Sequence, residues 1–459
     1  MPVLQNEQPR TRWTRALAEV REPQAGVFFC LSAFYFVYCA RPEDWIPGIG
    51  ILPLAKISAI FALLGLLFAV GRTKRGFRNL PREAYCLVGI ILFLLLAAVL
   101  SPVWKGGAFF KLLDFSKILV AWVLTFLVIT NFERLRRIIF IQCGSVALIT
   151  IISVLKGRSH PRLEGVIGGI YSNPNDLAFS IVLSLPFCFA FFLRTRSILG
   201  KMFWAFAMLA MCAALFLTAS RAGFIDLIVT GAVCLWIFGV KGKRPRLVAG
   251  ALLVVIVAGV LGGAKLKDRF RAISGTDLHD NVDVMAYESY EARRSLMIDS
   301  VKSIVHYPWG IGLGNFVIAS GVWHEVHVSY LQMGSEGGLG ALVLYLLFFR
   351  CGFQNLKKLR SIPDYDPEMA LFTGALFGTL TGFLVGSLFG PEAYQFYPYF
   401  AVAYTSVLLA IAKEQGQLAE EMAYRNTTGF SKLRSASDSV RNQEQRRPAE
   451  PSPVGRHWR

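Results

Sequence analysis

Charge is scarce in this sequence. Asp, Glu, Lys and Arg make up 17% of its 459 residues, where soluble globular chains carry about a quarter. Together with 54% apolar residues, that scarcity excludes a soluble nucleotide-binding enzyme, a disordered chain and a collagen. Acidic residues are the scarcest, 30 against 48 Lys and Arg, which leaves a net charge of +18. Paired cysteines are also lacking. Cys30, Cys39, Cys86, Cys143, Cys188, Cys212, Cys234 and Cys351 all fall in apolar runs or at a basic helix end, so a disulfide-rich secreted fold is excluded. No small-residue cleavage site follows the first apolar run, which is therefore expected to stay as a span. No 20 to 50 residue repeat appears, nor matched Gly/Pro-broken helices in two halves, as an inverted-repeat transporter would tend to have.

What is present is a succession of apolar runs, each long enough to cross a bilayer. They lie near 26 to 40, 51 to 70, 84 to 103, 115 to 130, 138 to 155, 177 to 193, 202 to 219, 222 to 240, 247 to 263, 327 to 349, 369 to 389 and 396 to 412. The expected fold is all-α: a polytopic membrane protein of about twelve transmembrane helices. Alternate connections are short and basic: Arg72 to Arg82, Arg134 to Arg137, Arg194 to Lys201, Lys241 to Arg246, and Arg350 to Arg360. The positive-inside rule puts these in the cytoplasm together with both termini, and puts the long connection 264 to 326 outside. Orientation and an anionic inner leaflet then account for the positive charge, and no nucleic-acid partner is needed. Residues 1–21 read as a cytoplasmic segment, 22–412 as the membrane domain, and 413–459, rich in Pro, Ser, Gln and Arg, as a disordered basic tail.

Within the outward connection, Tyr290, Arg294, Met297, Val301 and Ile304 recur at helical spacing, with Glu288, Glu291, Asp299 and Lys302 elsewhere on the wheel. This predicts an amphipathic helix over 287 to 306, lying on the membrane or across the bundle mouth. Pro308 stops it, and Gly310, Gly312 and Gly314 read as a flexible hinge. That GxGxG has no strand before it and is no dinucleotide fingerprint.

Polar groups are costly in hydrocarbon, so arginines and histidines at the outward ends of spans are candidates for chemistry. The loop before the sixth span supplies Arg158, His160, Arg162 and Glu164, then Tyr171, Asn173, Asn175 and Asp176. For Asn175 and Asp176, helix capping competes with a binding role. Thr218 to Gly223 forms a tight turn that aims Arg221 at the outer surface, where a guanidinium can grip phosphate oxygens bidentately. The pair Arg293 and Arg294 offers one further productive arginine, the other pairing with Glu291 or Glu288. His324 and His327 flank Glu325 at the start of the tenth span; a histidine there can take a proton from a sugar hydroxyl, though either can be an interfacial residue. Their spacing matches no zinc pattern, so chemistry without a metal or other cofactor is expected.

In chain order these motifs resemble the O-antigen ligase and O-antigen polymerase family. They run from Arg162 to Gly165 and Asn173-Pro174-Asn175, through Ser220-Arg221-Ala222-Gly223 and Arg293 four residues before Met297. Pro308-x-Gly310-x-Gly312, His327-x-x-Tyr330-Leu331 and Glu336-Gly337-x-x-Gly340 complete the series. The likeness covers about 160 to 345, with a fainter echo in Arg41-Pro42-Glu43-Asp44-Trp45. It implies a metal-independent glycosyltransferase of the bacterial inner membrane, with its site on the periplasmic face and undecaprenyl-pyrophosphate-linked glycan as donor. The acceptor implied is lipid A core, another lipid-linked repeat, or a protein hydroxyl as in an O-oligosaccharyltransferase. Arg221 and Arg293 match the family's pyrophosphate-holding arginines, and His327 matches its essential histidine. Arg162, Arg294, Asn173, Asn175, His324 and Tyr330 are the expected substrate contacts. Val328 stands where the family often has Asn, and Met297 where Trp is common; both departures bear on the acceptor. The competing class is a transporter or flippase of lipid-linked saccharides. It would carry ionisable residues at the bilayer midplane, whereas here the candidates cluster at the rim, with Glu336 and Lys56 among the deeper exceptions.

Overall fold

A computed structural model describes residues 25–46, 48–49, 54–68, 75–156, 162–165, 171, 173–250, 281–321, 324–363 and 365–416. Every regular element among them is a helix. In chain order the longer ones are α1 (Ala25–Ala40), α2 (Leu54–Phe68), α3 (Arg82–Val99), α4 (Lys105–Val128), α5 (Phe132–Lys156), α6 (Pro174–Arg194), α7 (Ile198–Thr218) and α8. The last of these spans Arg221–Lys241 and closes with a π turn over Leu235–Lys241. There follow α9 (Asn281–His306), α10 (Ser329–Arg360) and α11 (Pro367–Gly386), then α12 (Phe396–Gly416).

Eight of the described helices, α3, α5 to α8 and α10 to α12, are long and apolar enough to cross a membrane. Three further expected spans are helical too. Helices α1 and α2 are short, with 16 and 15 residues. Helix α4 starts ten residues earlier than its apolar run and carries Lys111, Asp114 and Lys117 along its first thirteen residues. The run 247 to 263 lies outside the described residues from 251 onward, as do the tail beyond 416 and residues 1 to 24.

The burial pattern separates inner from outer helices. From Tyr399 to Tyr404 every side chain of α12 is buried, and α6 is buried from Leu177 to Leu183 almost without interruption; a helix apolar all round belongs in the middle. In contrast α7 turns Leu199, Met202, Phe203, Phe206, Leu209 and Phe216 outward, as a lipid-facing helix does. At one end of the bundle the basic connections meet. Arg136 and Arg194 both hold Glu368 at the start of α11, and Arg75 donates to the carbonyls of Phe126 and Ile129 at the end of α4.

Helix α10 contains a break that the sequence does not announce. Gly338 has φ 81° and ψ 175° inside it, a backbone region open essentially to glycine alone. The freed carbonyls of Ser335 and Glu336 accept from the amides of Ile311 and Gly312, and Leu339 N donates to Pro308 O. The turn after α9 thus lodges in the break and satisfies it, the condition for irregular backbone inside a membrane helix. Gly310, Gly312 and Gly314, expected to be a flexible hinge, all have positive φ and form this packed insert instead. A Cβ on Gly310 would lie 2.5 Å from Glu336 O, so close backbone contact, not flexibility, is what glycine provides here.

Helix α9 begins six residues before the expected start. Its packed face carries Leu296 and Ser300, both buried, and Arg293 shares it at i, i+3, i+7 spacing. Met297, Val301 and Val305 remain exposed, Val305 by 74%. They leave an apolar stripe on the outer side of an otherwise polar helix.

Candidate active site

The far end of the bundle is built around Arg162, Asn175 and Ser220. Arg162 Nε donates to Thr218 O at 2.9 Å and a terminal nitrogen to Asn175 Oδ1 at 3.0 Å. The same Oδ1 accepts from Ser220 Oγ at 2.8 Å. Three chain segments that are distant in sequence are therefore tied together, and each motif residue has a local reason to be there. Ser220 caps α8 by accepting from Gly223 N at 3.1 Å. Ala219, at φ 49°, reverses the chain just before it. Gly223 lets α8 close on α6, since a Cβ there would sit 2.7 Å from that of Ala178. Leu163 is buried, and a Cβ on Gly165 would strike Tyr171 O. The outcome is that Arg221, first residue of α8, is presented exposed at the rim.

Arg293 comes from the opposite side, on α9. Burial, and then the charge of Arg221, pulls its guanidinium below the ordinary arginine value; the two side chains share one field while remaining cationic. Among the described side chains neither has a hydrogen-bonding or carboxylate partner. Arg294 is different: it is 63% exposed and pairs with Glu291 at 3.7 Å. Of the two adjacent arginines, Arg293 is the one that faces Arg221.

His327 completes the group. It lies in the extended segment before α10, where side chains alternate. Val326 and Val328 turn inward, into a small core with Leu296, Ile311 and Phe316, and so Glu325 and His327 share the other face. Burial first, then Arg293, then His324, push the His327 imidazole down to about 4. It is neutral at physiological pH and holds a lone pair for a hydroxyl proton.

The other expected contacts are spread more widely. His324 is exposed and acts on His327 through its charge. Asn173 caps α6, accepting from Asn175 N at 2.9 Å. Tyr330 packs on the Val326–Val328 core and donates to Leu384 O at 2.8 Å, which spends its hydroxyl within the fold. Arg158 and His160 lie outside the described residues.

The structure adds buried carboxyls near the Arg221 turn that the motifs do not mark. Asp226 is buried in α8 with Oδ2 unpartnered. Beside it Glu392 is held well above the ordinary carboxylate range by burial and by the neighbouring Asp176 carboxyl. An ionisable residue five places after Arg221, inside an apolar helix, was the available signal for Asp226.

A bundle of apolar helices with a paired-arginine and imidazole group at one end defines a membrane protein equipped to handle an anionic group. Residues 206–346, which include Arg221, Arg293 and His327, match the family model described as O-antigen ligase. The resemblance carried by the motifs is thereby supported over this stretch of the chain. Among curated proteins, none matches the chain.

Proposed function

We propose that this protein is an inverting glycosyltransferase of the bacterial inner membrane. It moves a glycan from undecaprenyl pyrophosphate to an acceptor hydroxyl on the periplasmic face. The observation that carries this reading is the pair Arg221 and Arg293, without described carboxylate partners, beside a neutral His327. Like charges held together cost free energy unless an anion sits between them, and a pyrophosphate supplies that anion.

In the reaction the acceptor oxygen attacks the anomeric carbon while the bond from that carbon to the pyrophosphate oxygen breaks. The electron pair leaves with the lipid pyrophosphate, whose growing charge Arg221 and Arg293 stabilise. The acceptor proton passes to His327. Arg162 acts one step back, fixing the turn that aims Arg221. No metal takes part in these steps as written. Lipid, glycan and protein acceptors all fit this chemistry.

The test uses purified protein in nanodiscs with undecaprenyl-pyrophosphate oligosaccharide and an envelope extract as acceptor, following release of free lipid pyrophosphate. Release requires the extract and falls at least about 100-fold in Arg221→Ala and in His327→Ala, while both variants insert normally. Transfer that survives both substitutions refutes the site. Lipid-linked glycan that crosses a liposome bilayer chemically intact makes the protein a transporter instead.

A further inference from the structure

A concavity of ≈ 320 Å³ opens beside the His327 segment, lined by Trp104, Gly107, Lys111, Leu313, Asn315 and Glu325 among others. We propose that it is the acceptor subsite: it binds a neutral, polyhydroxylated sugar ring and presents one hydroxyl to His327. This rests on the glycosyl-transfer reading above and adds what that reading leaves open, the place and chemistry of the acceptor.

Position is the first argument. Glu325 stands on the rim of the concavity and shares the outward face of its segment with His327, because Val326 and Val328 are pinned inside. The opposite wall is the start of α4, which supplies Gly107 and Lys111.

Rigidity is the second. Asn315 Nδ2 donates to Ser101 Oγ at 2.8 Å, to Ile311 O at 2.9 Å and to Trp104 O at 3.1 Å, and Ser101 Oγ donates to Ile311 O at 2.6 Å. Both walls are therefore clamped to one another. The Trp104 ring lies flat on Gly107, where a Cβ would come within 2.2 Å of it. The Lys111 chain crosses Gly314 in the same way, with Nζ 2.3 Å from where a Cβ would stand. Both glycines make room for the functional side chain above them.

The third argument is the set of groups left unspent. Trp104 is 58% exposed, an indole face of the kind that packs on the C–H face of a pyranose. Asn315 Oδ1 receives no hydrogen bond from any described residue. The Glu325 carboxyl is raised by burial and lowered by the charge of Lys111, yet the two do not close into an ion pair. A donor, two acceptors and an aromatic ring thus belong to residues that line one cavity. An anionic ligand would be opposed by Glu325, a cation by Lys111, and an acyl chain would strand the polar groups unpaired. A neutral sugar ring offers hydroxyls to every one of them, at the small end of the usual ligand-pocket size.

The experiment takes the full chain in nanodiscs with saturating undecaprenyl-pyrophosphate oligosaccharide and titrates the envelope extract. In Trp104→Ala and Lys111→Met the extract concentration giving half-maximal rate rises about 10-fold, while donor KM stays within about 3-fold. Trp104→Phe, which keeps a flat apolar ring, restores most of it. A second arm needs no turnover: in Arg221→Ala, the saccharide fraction released from the extract quenches tryptophan emission, and the quench is lost when Trp104→Phe is added. Failure of wild-type transfer with the quench intact removes the glycosyltransferase reading but leaves a sugar site. Normal transfer with unchanged acceptor dependence in Trp104→Ala and Lys111→Met, or a missing quench, overturns the subsite.

Discussion

The protonation of His327 is the sharpest quantity the site offers. An ordinary imidazole is half protonated at 6.5, whereas this one is held at about 4, so at pH 6.5 about 1 molecule in 300 carries the proton. The largest cause is burial, and the charges of Arg293 and His324 add to it in that order. Arg293→Gln removes the larger of these charges and leaves the burial. The midpoint then rises by about 0.5 to 1 in pH but stays below 6.5. Inorganic pyrophosphate bound between the arginines moves it in the same direction, since an anion favours the imidazolium. Donor binding therefore strengthens the base just when it is needed. The assay is carbethoxylation by diethylpyrocarbonate, which reads neutral imidazole, mapped to the His327 peptide by mass spectrometry across pH 3 to 8. A wild-type midpoint at the ordinary value, or one that ignores Arg293→Gln, refutes the electrostatic coupling on which the site is built. The linkage has a definite sign: between about 4 and 6.5 the unfolded chain binds the proton that the folded chain refuses. This residue accordingly subtracts stability as pH falls through that window.

Two further outcomes test the scaffold. Gly338→Ala forces a Cβ to 2.5 Å from Trp309 C at a φ of +81°, costing at least about 1 to 3 kcal/mol. It appears as a lower apparent melting temperature of the detergent-solubilised protein, while Gly231→Ala, which meets nothing within 4 Å, leaves it unchanged; equal effects would dismiss the packed insert. Asn175→Ala removes the acceptor that Arg162 and Ser220 share and lowers transfer about 10-fold at normal insertion. Asn175→Asp keeps the acceptor oxygen and retains most activity, and a reversed order would show that Asn175 does not position the Arg221 turn.

Much of the molecule is legible without coordinates because a bilayer simplifies the code. Hydrocarbon demands apolar helices of a certain length, so spans such as Pro174–Arg194 and Ile198–Thr218 follow from composition alone. The turn at Ser220 and the arginine behind it are equally local, since a capping serine and a close-packing glycine fix the geometry within four residues. Position in the sequence also brought Arg221, Arg293 and His327 forward as candidates, because cations at one end of a bundle call for a reason.

Other features needed the fold. Whether Arg293 or Arg294 faces the site depends on the rotation of α9, and that rotation is set by where Leu296 and Ser300 find their partners. Periodicity pointed to Arg294, Met297 and Val301, but Met297 and Val301 are exposed and Arg294 pairs with Glu291. The three glycines after Pro308 look like a hinge by themselves. They become a plug only because a helix twenty residues later breaks at Gly338 and leaves carbonyls to be filled. The concavity at Trp104, Lys111 and Glu325 joins residues over 200 positions apart, beyond the reach of any local signal. By itself the sequence determined which segments form long apolar helices and which residues have the right chemistry, because both depend on composition and on near neighbours. Tertiary structure alone decided which of those residues meet, because that depends on how helix faces pack and on where broken backbone finds its hydrogen bonds.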